Sequence, residues 1–166
     1  MTANILVTGA GGFVGDALSR RLAASGYRVT GQFRNAPPKT AWMENRITGD
    51  LTGITDFGPL VEGIDVIVHL AARVHMMRDT AADPDAAFLK ANADVTQRLA
   101  QAAAENGVGR FVFLSSVKVN GEATTDTPFR DTDVPAPEDA YGRSKLAAEN
   151  ALAEISANTQ LPVTTL

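Results

Sequence analysis

A glycine-rich turn near the N-terminus limits what this chain can fold into more than any other feature. The β-prone run Ile5-Leu6-Val7-Thr8 passes into Gly9-Ala10-Gly11-Gly12-Phe13-Val14-Gly15, and a helical pattern follows. One glycine of such a turn permits the tight bend, one lets the backbone approach a pyrophosphate, and one lets the helix pack against the strand. The N-terminus of that helix offers free N–H groups to phosphates. The pattern predicts a dinucleotide site formed by Gly9, Gly12, Phe13, Val14 and Gly15.

Short apolar runs alternate with helical patterns along the rest of the chain. We predict helices over residues 13–25, 84–106 and 141–155, with a shorter helical stretch within 56–62. Further strands are predicted at residues 28–33, 46–48, 65–70, 111–114 and 162–166. This alternation is typical of βαβ units, and continuous apolar runs are typical of strands buried on both faces of a parallel sheet. The predicted fold class is α/β, a Rossmann-type doubly wound parallel sheet with helices on both faces and strand order 3-2-1-4-5-6.

Composition excludes several other classes of protein. The chain has 166 residues, of which 45% are hydrophobic, so it is long enough for one domain and too apolar for a disordered tail. Its apolar runs are far shorter than the roughly 20 residues of a membrane span. A net charge of −4 without a basic stretch argues against a nucleic-acid partner, and the absence of cysteine fits a reducing, cytoplasmic location.

The end of the second predicted strand bears on the choice of cofactor. An NAD site usually has an Asp or Glu about 20 residues after the glycine turn, where it binds the 2′-hydroxyl of the ribose. This chain has Gln32-Phe33-Arg34 at that place and no carboxylate. A guanidinium can bind a 2′-phosphate through two hydrogen bonds, so Arg34 favours NADP and leaves NAD as the alternative.

Four residues that can bind or move a proton are predicted at the carboxyl end of the sheet. Tyr141 and Lys145 stand four residues apart, on one face of a predicted helix. The ordinary pKa of tyrosine is about 10, and an adjacent ammonium favours the phenolate, which can act as a base. Ser115 and Ser116 follow the strand at 111–114, where active sites of open α/β sheets lie, and a hydroxyl there can bind the substrate oxygen.

Together these motifs resemble the extended short-chain dehydrogenases/reductases, in particular the branch of nucleotide-sugar epimerases, dehydratases and reductases. The resemblance covers residues 5–166. It is carried by the glycine turn, Gly49-Asp50-Leu51, His69-Leu70-Ala71-Ala72, Asn92, Ser115-Ser116 and the Tyr141/Lys145 pair.

The resemblance implies a role for each matched residue. Asp50 and Leu51 are expected to contact the adenine, and Leu70, Ala71, Ala72 and Ser115 to line the cofactor, with Asn92 beside them supporting the active-site helix. The expected catalytic residues are Ser116, Tyr141 and Lys145. Tyr141 is the expected acid/base, and Lys145 is expected to hold the nicotinamide ribose and to lower the pKa of Tyr141.

The resemblance also implies hydride transfer at C4 of a nucleotide sugar, with a UDP-hexose as the expected small-molecule substrate. The segments after strands 65–70 and 111–114 resemble a bacterial surface-polysaccharide subgroup that is UDP-glucose 4-epimerase-like or acts as 4-keto reductases. Arg34 modestly favours the alternative of a net NADPH-dependent reductase. Dehydratases of the family carry an Asp-Glu pair just after the strand, where this chain has Ser116-Val117-Lys118 and no acid, which disfavours dehydration. A non-catalytic dinucleotide sensor is the third alternative, disfavoured because the Tyr141/Lys145 pair is present.

Further expectations concern metals, partners and extent. His69 and His75 lack companions at ligand spacing, so no metal site is expected. The resemblance implies a homodimer through the helices at 84–106 and 141–155. Because family members continue beyond the last predicted strand, residues 1–166 are expected to be the cofactor half of a longer enzyme, without its substrate-binding region.

Overall fold

The structure is a computed structural model that describes residues 2–36, 42–74, 82–124 and 126–166. Its strands are β1 (Asn4–Thr8), β2 (Arg28–Phe33), β3 (Glu44–Ile47), β4 (Val66–His69), β5 (Arg110–Phe113) and β6 (Val163–Thr165). All of these strands pair in parallel, in the order β3-β2-β1-β4-β5-β6, which confirms the predicted order.

The helices within the described residues are α1 (Phe13–Ala24), α2 (Gly58–Val61), α3 (Pro84–Phe88), α4 (Val95–Glu105) and α5 (Ala140–Asn158). A π-helical segment, Leu89–Asp94, joins α3 to α4, so one continuous helix runs where a helix over 84–106 was predicted. The sequence pattern did not predict the π-helical segment or the 3₁₀ turns at Leu51–Gly53 and Val117–Val119. None of the helices described is long and apolar enough to span a bilayer.

Alternate residues of the strands pack on opposite faces of the sheet. Leu6 of β1 belongs to the larger apolar cluster, which also contains buried side chains of α2, α4 and α5. Ile5 and Val7 belong to the second cluster, against which Leu22 of α1 packs. Each fully buried aliphatic side chain contributes about 2 kcal/mol to folding. Helices therefore cover both faces, which confirms the doubly wound α/β class.

The strand register brings the carboxyl ends of the central strands to one edge of the sheet. Thr8 at the end of β1 pairs with His69 at the end of β4, and His69 pairs with Phe113 at the end of β5. The glycine turn and the segments that begin at Leu70 and Leu114 therefore leave the sheet side by side. In open α/β sheets, ligands bind at this edge.

Candidate functional site

The glycine turn folds tightly against the segment that follows β4. Gly9 has a φ of +66°, which side-chain-bearing residues rarely adopt, and a Cβ there would lie 3.0 Å from the Ala71 backbone. A Cβ on Gly15 would lie 2.2 Å from the Gly9 carbonyl oxygen, so only glycine lets α1 approach the end of β1 this closely. The tight bend and the close helix–strand packing predicted from the glycine spacing are both present.

The N-terminus of α1 has the features of an anion site. Gly12 precedes the helix in an extended conformation, and no described side chain caps its first N–H groups. Phe13 is 95% exposed and Val14 is half exposed, so both side chains leave the turn open to solvent. Free N–H groups and the positive end of the helix dipole together favour a phosphate here.

Gln32 stands near the end of β2, where an NAD site usually has an acid that binds the ribose. Its amide oxygen accepts a hydrogen bond of 3.1 Å from the Gly9 N–H, and its amide nitrogen donates to the Thr48 hydroxyl at 2.9 Å. Gln32 is buried, and its side chain ties β2 to the glycine turn. No role for Gln32 or Thr48 was predicted from the sequence.

Arg34 and Asp50 lie next to each other at the ends of β2 and β3. Their closest polar atoms, Arg34 Nε and Asp50 Oδ2, are 3.8 Å apart, and both side chains are more than half exposed. Asp50 also caps the turn Leu51–Gly53, because its Oδ1 accepts hydrogen bonds from the N–H and the hydroxyl of Thr52. These two bonds, aided by Arg34, hold the pKa of Asp50 below its ordinary value. Arg34, predicted to bind the 2′-phosphate, and Asp50, predicted to contact the adenine, thus lie together.

Asn92, in the π-helical segment, joins two parts of the site. Its side chain accepts from the Arg73 N–H at 2.7 Å and donates to the Arg73 carbonyl at 2.9 Å. It also donates to the Ser144 hydroxyl at 2.9 Å, and Ser144 in turn donates to the Tyr141 carbonyl. Asn92 therefore links the segment after β4 to α5.

Tyr141 stands in the first turn of α5, whose start is fixed by Asp139. The Asp139 carboxylate accepts a hydrogen bond of 2.6 Å from the Gly142 N–H, as an N-cap does. The Tyr141 hydroxyl interacts with the Ser116 hydroxyl, so the predicted acid/base and the predicted catalytic serine lie together. Burial raises the pKa of Tyr141, while the Ser116 hydrogen bond and the Lys118 charge act in the opposite direction.

Lys145 lies one turn after Tyr141 and is buried. Its ammonium donates to the Leu114 carbonyl at 2.7 Å and lies 4.2 Å from the centre of the Phe113 ring. Burial lowers the pKa of Lys145 to about 8, and the charge of Glu149 partly opposes this. The Lys145 ammonium is thus bound at the end of β5, and the cation whose charge favours the Tyr141 phenolate in this structure is Lys118.

Two charged residues near the site, Lys118 and Glu149, were not predicted to be catalytic. Lys118, whose charge favours the Tyr141 phenolate, binds Asp139 at 2.8 Å and Glu122 at 2.7 Å, and these acids raise its pKa. Glu149 accepts a hydrogen bond from the Ser115 hydroxyl. The spacing of four residues between Lys118 and Glu122, and between Lys145 and Glu149, is the signal that was present in the sequence.

The part of the chain that the structure describes holds no group of His, Asp and Glu able to bind a metal ion. His69 is buried against Phe113. His75 lies outside the described residues.

Comparison with known proteins connects this site to a family. The model of the "NAD dependent epimerase/dehydratase family" matches residues 5–166. UDP-glucose 4-epimerase of Vibrio cholerae is 40% identical over 165 residues, which are 98% of this chain and 50% of that protein. dTDP-6-deoxy-L-talose 4-dehydrogenase (NAD(P)(+)) of Kitasatospora kifunensis is 33% identical over 158 residues, 90% of this chain and 46% of that protein.

A solved structure agrees with these relatives. MoeE5 in complex with UDP-glucuronic acid and NAD matches with a TM-score of 0.85 and 33% identity. The match covers 98% of this chain and 53% of MoeE5. The chain thus spans about half the length of the proteins that it matches.

Proposed function

The chain belongs to the NAD dependent epimerase/dehydratase family, and we propose that it binds a nicotinamide dinucleotide for chemistry at C4 of a nucleotide sugar. The expected substrate is a UDP-hexose. The names of the relatives support this position and substrate class, because they include a 4-epimerase and a 4-dehydrogenase of nucleotide sugars.

One observation carries the proposal: the glycine turn and the Ser116–Tyr141 pair occupy the same edge of the sheet. The turn is shaped for a pyrophosphate, since Gly9 and Gly15 leave no room for a Cβ and α1 presents its N-terminus there. The residues after β4 and β5 lie between that turn and Tyr141, as the register requires. A dinucleotide bound along this edge would have its pyrophosphate at the turn and its nicotinamide towards Tyr141.

In the proposed reaction, side chains of this protein remove the proton from the sugar oxygen and return it. The bound nicotinamide ring supplies the hydride acceptor or donor for C4. Tyr141 takes the proton of the 4-hydroxyl when the carbon is oxidised and returns it when the ketone is reduced. Ser116, which lies against the Tyr141 hydroxyl, orients the same oxygen. Lys145 holds the nicotinamide ribose, and the charge of Lys118 favours the Tyr141 phenolate.

A 4-epimerase and a net 4-keto reductase use the same groups and differ in how often hydride is transferred. The epimerase returns the hydride to the opposite face of the sugar, whereas the reductase stops after one transfer. Dehydration is disfavoured, because the turn after Ser116 carries Lys118 and no acid that could eliminate water.

We further propose that NADP is preferred to NAD. Gln32 is engaged with Gly9 and Thr48, so β2 ends without a carboxylate for the ribose hydroxyl. Arg34 is 73% exposed and held only loosely by Asp50, which leaves its guanidinium able to reach a 2′-phosphate. The homodimer through α3, α4 and α5 and the cytoplasmic location stay predictions.

Turnover tests the proposal directly. The protein is incubated with UDP-glucose and NAD(P)⁺, and C4 oxidation or epimerisation is followed by absorbance and by analysis of the sugar. We expect Tyr141→Phe to lose at least about a hundredfold in kcat while it retains cofactor binding, because only the transferable proton is removed. Full turnover by Tyr141→Phe would rule out this mechanism.

A further inference from the structure

The Lys145 ammonium lies between β5 and α5, where some surrounding groups favour its positive charge and burial disfavours it. Its side chain is 3% exposed, and burial penalises the charged form. The Leu114 carbonyl accepts its hydrogen bond, and the face of the Phe113 ring lies below it. A carbonyl and a ring face attract a cation, but neither carries a full negative charge.

Glu149 supplies a full negative charge one helical turn away. Side chains four residues apart on a helix lie side by side, with Cβ atoms about 5–6 Å apart. The Ser115 hydroxyl donates a hydrogen bond to the Glu149 carboxylate. Ser115 is itself fixed, because its N–H donates to the Leu166 carbonyl at 2.8 Å. The carboxylate is therefore held on the side of α5 that faces β5 and β6.

The other titratable groups around Lys145 do not provide this charge. His69, on β4, is fully buried and stays neutral, since burial and the Lys145 charge lower its pKa to about 3. Tyr141, one turn before Lys145 on α5, has a pKa above its ordinary value and is also neutral. Glu149 acts on Lys145 in the opposite direction to burial.

We propose that Glu149 is a positioning residue for Lys145: anchored by the Ser115 hydroxyl, its carboxylate keeps the Lys145 side chain charged and bound at the end of β5. This role rests on the proposed function, in which the charged Lys145 holds the nicotinamide ribose. The pKa of Lys145 lies only a little above neutral pH, since it is about 8 even with Glu149 in place. Loss of the carboxylate would leave much of Lys145 uncharged near neutral pH.

NMR of the chain labelled with ¹³C-lysine tests this without cofactor or substrate. The Lys145 Cε resonance, identified by its loss in Lys145→Met, reports the titration of the ammonium. We expect Glu149→Gln to lower the pKa of Lys145 by about one pH unit, the lower end of the effect of a neighbouring charge. Glu149→Asp keeps a carboxylate and should recover most of this change. Glu154→Gln, which removes an exposed charge of α5, should leave it unaltered.

An unchanged titration of Lys145 in Glu149→Gln, or an equal change in Glu154→Gln, would overturn the proposal. If the amide spectrum shows that Glu149→Gln does not fold, Glu149→Ala removes the same charge with the best helix-forming residue. A lowered pKa of Lys145 in a chain that binds neither NAD nor NADP would support the role of Glu149 and reject the proposed function, so the two claims fail separately.

Discussion

The Thr8 hydroxyl and the Nδ1 atom of His69 lie 2.7 Å apart, fully buried between the ends of β1 and β4. The Thr8 oxygen accepts hydrogen bonds from the N–H groups of Leu70 and Ala71, so its own hydrogen points at His69. On the other side of the ring, Thr96 donates to the Asn92 carbonyl and therefore accepts from Nε2–H. The imidazole is thus neutral, in a single tautomer, and connects the glycine turn to the helix that carries Asn92.

The neutrality of His69 predicts a loss of stability in acid. Its pKa is about 3 in the folded chain and 6.5 ordinarily, so its contribution is complete above pH 6.5 and lost as the pH falls towards 3. Between these limits the loss is about 1.4 kcal/mol per pH unit. The test is urea unfolding of the wild type and of His69→Asn, which lacks the titrating ring, at pH 7 and at pH 5. The difference between the two proteins in the free energy of unfolding should be about 2 kcal/mol smaller at pH 5 than at pH 7. A difference that stays the same at both pH values would contradict a buried neutral histidine.

The middle and last glycines of the Gly9/Gly12/Gly15 motif should respond differently to a methyl group. A Cβ on Gly15 would lie 2.2 Å from a backbone oxygen that cannot move away, so Gly15→Ala should lower the free energy of unfolding by about 3 kcal/mol. Gly12 has an ordinary φ of −80° and its nearest such contact is 3.2 Å, so Gly12→Ala should cost about 1 kcal/mol or less. Denaturant unfolding of both variants measures this difference, and equal losses would contradict the packing described.

Arg34→Ala should change the preference between cofactors. Loss of the guanidinium removes a charge-assisted contact to a 2′-phosphate, which is worth about 1.5–3 kcal/mol, so NADP binding should weaken at least tenfold. NAD has no such phosphate, and its affinity should stay within a factor of two or so. Calorimetric titration with both cofactors decides the matter. Tighter binding of NAD by the wild type, or equal losses for both cofactors, would refute the assignment of Arg34.

Asn92→Asp should disrupt the connection between α5 and the segment after β4. The substitution keeps the shape but replaces the NH₂ group that donates to the Arg73 carbonyl and to Ser144 with an oxygen. A buried acceptor that faces a carbonyl costs about 3 kcal/mol or more of stability. The exposed Asn150 on α5 offers a control, since Asn150→Asp should leave thermal unfolding nearly unchanged. Equal stability of the two variants would show that Asn92 is not a structural link.

Much of the fold followed from local sequence signals. Strand β2 was predicted at residues 28–33 and is observed at Arg28–Phe33, because a β-prone run that includes Val29 and Thr30 ends there at a loop. The tight turn at Gly9 followed from its place directly after β1. The π-helical segment Leu89–Asp94 could not be predicted from the hydrophobic periodicity. Phe88, Val95 and Leu99 keep the spacing of one buried helix face whether or not one turn is widened.

The side-chain partners within the site were harder to predict. Tyr141 and Ser116 were predicted at one edge of the sheet, because the carboxyl ends of parallel strands share that edge, and the structure brings the two side chains into contact. The direction of Lys145 was not foreseen, since it depends on the Leu114 carbonyl, 31 residues away in the chain. From the sequence, Gln32 indicated only that no acid stands at the end of β2. In the structure its amide oxygen accepts a hydrogen bond from the Gly9 N–H. Such long-range contacts leave no periodic trace in one sequence.

Binding of NADPH and NADH by the chain, followed through the fluorescence of the reduced nicotinamide, tests the central claim most directly. We predict saturable binding at one site, weakened at least tenfold by Gly12→Ala, whose methyl group would occupy the place of the pyrophosphate. Gly53→Ala serves as the matched control, because a Cβ there meets nothing within 4 Å. Absence of saturable binding, or equal affinity of wild type and Gly12→Ala, would contradict a dinucleotide site at the glycine turn.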